Sequence, residues 1–260
     1  MEREGSQPND HGVGGWKTLP LPTGTLYVVG VPIGHPDDIT LRALTTLRNV
    51  MVIASEDPRA TQALLTHHGI LAVVTSYGPP NRDEKIRLFL DRLMKGQDIA
   101  LVSDNGTPVV YDPGSLLVAA AHEAAIPVKT IPGPSTITAA LAISGFSGDA
   151  IIFDGCLPSP NRRLVQYVSR LRKERRTFVL YVDPDALAGL MKILAQVLPT
   201  RQIAVAMNLT RLNESFCCGP AGELVDQIGP VANDSAVTVL IEGYRAGSHY
   251  SSSRRRMITR

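Results

Sequence analysis

The chain has few cysteines. It carries three in 260 residues, Cys156 and the neighbours Cys217 and Cys218. That count and spacing exclude a disulfide framework and a structural zinc site, and point to a reducing, cytoplasmic compartment. Long apolar runs are lacking too. None reaches the roughly 18 to 20 residues that span a bilayer, so no membrane anchor is expected. The opening "MEREGSQPNDHGVGGWKTLPLPTG" has no apolar core and is not a secretory signal. Residues 1–23 read as a disordered leader. There is little excess charge: the net value of +2 excludes a polycation. Three signatures are missing as well, the G-x-G-x-x-G dinucleotide fingerprint, the G-x-x-x-x-G-K-[ST] phosphate loop and the G-x-S-x-G elbow. His67 and His68 fall in a helix-like stretch without metal-ligand spacing. They read as surface residues, and no metal is expected.

What is present is the texture of a globular α/β protein, 44% hydrophobic and 19% charged. Short apolar runs such as "TLYVVGV", "MVIAS", "DIALVSD" and "PVKTIPG" alternate with amphipathic ones. "DITLRALTTLRNV" predicts a helix with an acidic start at Asp37–Asp38 and an apolar face of Ile39, Leu41, Leu44 and Leu47. "RATQALLTHHG", "EKIRLFLDRLMKG", "GSLLVAAAHEAAI" and "STITAALAISG" predict further helices. This rhythm predicts a mainly parallel sheet covered by helices. After Gly145 the pattern changes. "AIIFDGCLP", "TFVLYV", "QIAVAMNL", "RLNESFCCG" and "SAVTVLIEG" read as strands, and "DALAGLMKILAQVL" as a helix. The expected architecture is two α/β domains, 24–146 with the parallel sheet and 147–244 smaller and mixed, followed by a flexible basic tail, 245–260.

Ligands of open α/β sheets gather at the carboxyl ends of the strands. Four loops there are rich in Gly, Pro and polar residues: "GVPIGHPDD", "SEDPRAT", "SDNGTPVVYDPG" and "IPGPST". A plain connection needs only about 2 to 6 residues, so the twelve from Ser103 to Gly114 imply a backbone shaped for a ligand. Each loop also has a purely structural explanation. Ser135 can cap its helix, and Asp37 and Asp38 can favour the positive end of theirs. Glu56, Asp57 and Arg59 can form an ion-pair network. Positive charge is concentrated in "NRRLVQYVSRLRKERR", where Leu164, Tyr167, Val168 and Leu171 give an amphipathic helix with a basic outer face.

In their order these loops resemble the tetrapyrrole methylase superfamily. They are most similar to its RsmI type, the small-subunit ribosomal RNA methyltransferases. "GTLYVVGVPIGHPDDITLRAL" resembles the TPIGN and DIT-R-L opening, and "IASEDPRAT" the AEDTR-x-T segment. "LVSDNGTPVVYDPG" resembles SDAGTP-x-x-SDPG, "IPGPSTITAAL" matches IPGPS-x-x-x-AL, and "LTRLNES" resembles LTK-x-HE. The resemblance covers about Gly24 to Gly243. It departs at "YVDPDA", where a YESPHR-like stretch is usual, and at "MNLTR", where RELTK is usual.

The resemblance implies S-adenosylmethionine in a cleft between two domains. It implies cofactor contacts from Pro32, from Asn105, Gly106, Thr107 and Val110, from Ser135 and Thr136, and from Leu209 and Thr238. The activity it implies is methylation of a cytidine ribose 2′-oxygen in small-subunit ribosomal RNA, by a homodimer. Asp57, Asp104 and Asp112 are then candidates for the base that takes the hydroxyl proton. Arg59, Arg162, Arg163 and Arg170 are candidates for holding phosphates. Two alternatives stay open, a methyltransferase acting on a tetrapyrrole precursor and a cofactor-binding protein that has lost catalysis.

Overall fold

The computed structural model describes residues 22–78, 82–157 and 161–245, with the backbone alone for Asn161 and Arg162. Most of the expected leader and basic tail, residues 1–21 and 246–260, lie outside the described residues.

The apolar runs of the first half become β1 (Leu26–Val29), β2 (Val52–Ser55), β3 (Val74–Ser76), β4 (Ile99–Val102) and β5 (Val128–Ile131). Between them lie α1 (Leu41–Asn49), α2 (Pro58–His67), α3 (Arg82–Met94) and α4 (Ser115–Glu123), and α5 (Thr136–Ser144) follows β5. The strands pair in parallel in the order β3-β2-β4-β1-β5. Every residue of β2 and β4 is buried, because helices cover both faces. On one face α1 and α2 bury Ala43, Leu47 and Leu65 against Val29, Ile53 and Val102. On the other, α3 and α4 bury Phe89, Leu93 and Leu117 against Leu26, Ala54 and Leu101. The chain leaves β1 toward β2 and leaves β4 toward β5, in opposite directions along the sheet. The neighbouring carboxyl ends of β1 and β4 are therefore where a crevice opens.

The second half contributes β6 (Ile151–Cys156), α6 (Asn161–Arg170), β7 (Thr177–Val182), α7 (Pro184–Val197), β8 (Gln202–Met207), β9 (Ser215–Pro220), α8 (Ala221–Leu224) and β10 (Val237–Ile241). Its sheet has the order β6-β7-β10-β8-β9; β6 and β7 are parallel and the other pairs antiparallel. Alternation along the strands sorts two cores. Phe178, Leu180, Val182, Ile203, Val205, Val237, Val239 and Ile241 face α6 and α7, meeting Val168, Leu187, Leu190 and Leu194. Val179, Ala204, Ala206 and Leu240 face the other way, onto Ala140 of α5 and onto Ile33 and Leu209. The small side chains of Ala140, Ala204 and Ala206 let α5 lie close against this sheet. The last helix of the first half is thus roofed by the second sheet, and this contact fixes the cleft between them.

Three sequence expectations need correction. The helix expected from Asp37 starts at Leu41 instead, because Ile39 and Thr40 are extended and the Thr40 hydroxyl caps the helix at Ala43 N, 3.1 Å away. Asp37 and Asp38 occupy a separate short turn, and Leu41 is 82% exposed, not core. The strand expected from Arg211 begins only at Ser215; a turn precedes it, in which Thr210 has φ +63° and donates its N–H to the Glu214 carboxylate. The three-residue edge strand β3 has no counterpart in the sequence reading, since three residues are too few for alternation to register.

Candidate functional site

A cavity of about 350 Å³ lies where the strand ends of the first sheet meet the second sheet. The first half lines it with Ile33, Glu56, Ser103 to Thr107, Val110 to Asp112, Ser135 and Thr136. The second half supplies Cys156 at the end of β6, Tyr181 to Pro184 at the end of β7, and Ser235 to Thr238 at the start of β10. A neighbouring hollow of about 340 Å³ lies between the loop after β1 and α2, and shares Ser103, Asp104 and Asn105 with the cavity.

Backbone contacts explain the Gly and Pro content of these loops. Gly30 and Gly133 cross so closely that a Cβ on Gly30 would stand 2.8 Å from Gly133 Cα. Val31 N donates to Gly106 O at 2.9 Å, and Gly106 N donates to Pro32 O at 3.2 Å. Gly106 itself has φ +80°, and a Cβ there would lie 3.2 Å from Ile33 Cγ2. The Thr107 hydroxyl donates to Pro134 O at 3.1 Å, tying the β4 loop to the β5 loop. Two residues of the same loop are strained: Val109 has φ +77° and Tyr111 φ +59°. Such conformations cost about 1 to 3 kcal/mol each and persist where the surroundings over-determine them. Ser135 occupies the cap position of α5 but makes no capping bond. Its hydroxyl and the first N–H groups of α5 therefore stand at the cavity as unsatisfied donors, a site suited to a carboxylate.

Three carboxyls meet in the wall, those of Glu56, Asp104 and Asp112. All sit above their ordinary values, chiefly through burial. Repulsion from Asp112 and Asp104 adds to the rise at Glu56. Hydrogen bonds from Asp57 N and Gly114 N, at 2.8 and 3.0 Å, pull Asp104 and Asp112 the other way. Asp183 adds a fourth acid, and no Lys or Arg lines the cavity among the described residues. The interior favours a cation, and carboxyls whose pKa is raised by burial are stronger proton acceptors than ordinary ones.

Of the residues singled out from sequence, Asn105, Gly106, Thr107, Val110, Ser135, Thr136 and Thr238 line the cavity, with Asp104 and Asp112. Pro32 lines the neighbouring hollow. Leu209 lies behind the wall, buried beside Ile33. Asp57 does not line the cavity. Its carboxylate caps α2 instead, accepting from Arg59 N at 2.8 Å and Ala60 N at 3.2 Å. That cap replaces the ion-pair network with Arg59, whose exposed side chain pairs with neither Glu56 nor Asp57. His68 is the cap residue after α2, not part of it. His67 Nε2 lies 2.8 Å from Asp37 Oδ1 and His68 Nε2 3.0 Å from Pro36 O. The donor atoms of Asp37, His67 and His68 lie within 4.8 Å of one another. With those bonds already made, the trio clamps the turn after β1 to the end of α2.

Cavity residues that the sequence reading did not assign to the site include Glu56, Cys156, Tyr181, Asp183 and Ser235. All but Glu56 come from the second half, and all stand at or next to strand ends. The carboxyl-end rule applied to β6 and β7 would have found Cys156, Tyr181 and Asp183, whereas Ser235 precedes the start of β10 and carries no such signal. A bulge between Phe153 and Cys156, with Gly155 at φ +61°, turns Cys156 inward.

The basic helix is amphipathic as expected. Leu164, Val168 and the following Leu171 are buried, while Arg163 and Arg170 are exposed. The side chain of Arg162 lies outside the described residues. Arg176 is neutralised by Glu174 through two bonds of 2.8 Å, which hold the Glu174 carboxyl down at about 2. Arg163 and Arg170, with Arg172, Lys173 and Arg175, make no ion pair among the described residues.

Residues 25–225 match the family of tetrapyrrole (corrin/porphyrin) methylases. A relative from Thermotoga maritima named ribosomal RNA small subunit methyltransferase I is 37% identical over 221 residues, covering 85% of this chain and 99% of its own. A relative of the same name from Synechocystis is 43% identical over 197 residues, 75% of this chain and 71% of its own. Among solved structures, uroporphyrin-III C-methyl transferase from Thermus thermophilus, complexed with S-adenyl homocysteine, has a TM-score of 0.58. It is 18% identical, covers 84% of this chain and 97% of its own, and bears on the fold alone. On the match over most of its length and on the identity to these relatives, the chain belongs to the tetrapyrrole methylase family.

Proposed function

We propose that the protein methylates small-subunit ribosomal RNA, with S-adenosylmethionine as donor and a cytidine ribose 2′-oxygen as acceptor. One observation carries the cofactor assignment: the cavity is acid-lined and adjoins the uncapped start of α5. That pairing suits a molecule bearing a sulfonium, an ammonium and a carboxylate. Asn105, Gly106, Thr107, Val110, Ser135, Thr136 and Thr238 are the residues that would hold it, with Pro32 from the neighbouring hollow and Leu209 supporting the wall from behind. When bound, the cofactor supplies an electrophilic methyl group. Asp112 or Glu56 takes the proton of the acceptor hydroxyl, and Asp104, fixed by Asp57 N, keeps the site negative. In-line transfer would require the loops and second sheet to bring donor and acceptor to about 3 to 3.5 Å.

The names of the relatives support RNA as acceptor. So does the placement of charge. Phosphates are repelled by the cavity and attracted by the exposed Arg163 and Arg170. Arg163 is seven residues beyond Cys156, so it lies within about 25 Å of the wall. The functional units are 24–146 and 147–244, and the active species is a homodimer in the cytoplasm. Among the described residues no helix is long and apolar enough to cross a membrane.

The test is to incubate the protein with methyl-labelled S-adenosylmethionine and, separately, small ribosomal subunits, their free RNA and tetrapyrrole precursors. Label in the RNA is expected. Label in a tetrapyrrole would overturn the acceptor assignment, and cofactor binding with no labelled product would make this a binding protein.

A further inference from the structure

Tyr111 stands at the cavity wall in an unusual way. Its φ is +59°, a conformation a bulky side chain rarely adopts. Its side chain is nonetheless 64% exposed, so burial of the ring does not explain the strain. The ring is held in place from behind. A Cβ on Gly155 would come within 2.9 Å of Tyr111 Cδ2, so the ring occupies the space that glycine leaves. Tyr181, which also lines the cavity, meets it edge to face at 6.1 Å, and Phe153 meets Tyr181 at 4.9 Å. An aromatic ladder from the second sheet thus braces one ring that ends in solvent at the site. The next residue along the chain is Asp112, one of the carboxyls in the wall.

We infer that Tyr111 is a nucleobase subsite: the base of the acceptor nucleotide leaves its neighbours and stacks on the exposed face of the Tyr111 ring, which sets the ribose hydroxyl over Asp112. This rests on the RNA reading above. Single-stranded and extruded nucleotides are commonly held by stacking on aromatic side chains. The ring serves as a platform because its backbone is fixed by the strained loop and its edge by Gly155 and Tyr181. A base has no comparable surface elsewhere in the wall, where the aromatic Tyr181 is half-buried and the remaining residues are small, aliphatic or acidic. The acids repel phosphates at the wall itself, so within the cavity stacking is the available means of holding a base, while Arg163 and Arg170 act on phosphates outside it.

The experiment compares wild type, Tyr111→Phe and Tyr111→Ala for methyl transfer to small ribosomal subunits, with cofactor affinity measured by calorimetry on the same samples. The Phe variant should match wild type, because the ring is kept. The Ala variant should lose about 10- to 100-fold in kcat/KM for RNA, the loss expected from removing one stacked base, with cofactor affinity within about twofold. Unchanged transfer by the Ala variant would overturn the subsite. So would a Phe variant as damaged as Ala, which would assign the effect to the hydroxyl, and so would an equal loss of cofactor affinity. If wild type labels no RNA, the acceptor reading falls and this inference with it. If wild type labels RNA and Tyr111→Ala does so equally well, this inference alone falls.

Discussion

Gly106 shows how a single position can decide between a turn and a binding loop. It has φ +80°, and a Cβ there would lie 3.2 Å from Ile33 Cγ2, so it admits no larger residue without strain. Gly106→Val should fold but bind S-adenosylmethionine at least about tenfold more weakly, since a left-handed L-residue costs about 1 to 2 kcal/mol and displaces the loop. Unchanged affinity by calorimetry would place the cofactor elsewhere. The carboxyls give a second residue-scale prediction. Glu56 and Asp112 are raised from ordinary values of 4.5 and 3.8. The folded chain therefore holds protons that the unfolded chain has lost, and their contribution to stability falls as pH rises from those values through the folded ones. Glu174 acts in the opposite sense: its contribution is present above 4.5 and is lost as pH falls to about 2. Denaturant unfolding between pH 4 and 7 should show Glu56→Gln/Asp112→Asn gaining on wild type as pH rises; parallel curves would refute the raised values. The motifs around Asp104, Gly106 and Ser135 made these residues legible in the sequence, because each stands between a strand and a helix. Asp57, one of the candidate bases, has a local structural role instead of a place in the cavity wall. Asp just before Pro58 and Arg59 can cap a helix or serve as a base, and only the bonds to Arg59 N and Ala60 N decide.

At the scale of elements, α5 carries the connection between the halves. Its Ala140 packs on Ala204 and Ala206 of β8 and on Leu240 of β10, all buried. Ala206→Leu should overpack this contact and destabilise by about 1 to 3 kcal/mol. It should also weaken cofactor binding, because the start of α5 lines the cavity. Denaturant unfolding and calorimetry on one preparation check both. Stability lost with affinity intact would detach α5 from the site. The basic helix α6 makes a separate prediction. Arg163→Ala/Arg170→Ala should flatten the salt dependence of RNA binding by roughly 0.7 to 0.9 log unit per log unit for each phosphate contact removed, leaving cofactor affinity unchanged. Identical slopes would reduce the patch to a solvated face. Element types followed from periodicity nearly everywhere, but their ends did not. Thr40 competes with Asp37 and Asp38 for the start of α1, and composition favours the acids while the backbone chooses the threonine.

For the whole molecule, the decisive feature is that neither half contains the site. The first sheet brings the glycine-rich loops, and the second brings Tyr181, Asp183 and Thr238. Strand order and the docking of α5 place these together across more than a hundred residues of chain, which no local pattern reveals; only the resemblance of the ordered motifs anticipated a shared cleft. The departures at "YVDPDA" and "MNLTR" have structural places. Tyr181 and Asp183 lie in the cavity wall, while Asn208 takes φ +52° and its Oδ1 accepts from Ala236 N at 3.0 Å, joining the end of β8 to the start of β10. In solution the proposed dimer should have twice the monomer mass of 28.0 kDa by light scattering at micromolar concentration. The central claim is that this cavity methylates a ribose of ribosomal RNA, and nucleoside analysis of the labelled product tests it most directly. After transfer to small ribosomal subunits and complete digestion, the label should be found in 2′-O-methylcytidine, and Asp112→Asn should yield far less of it with cofactor binding retained. Label in a methylated base, or only in a tetrapyrrole, would contradict the account.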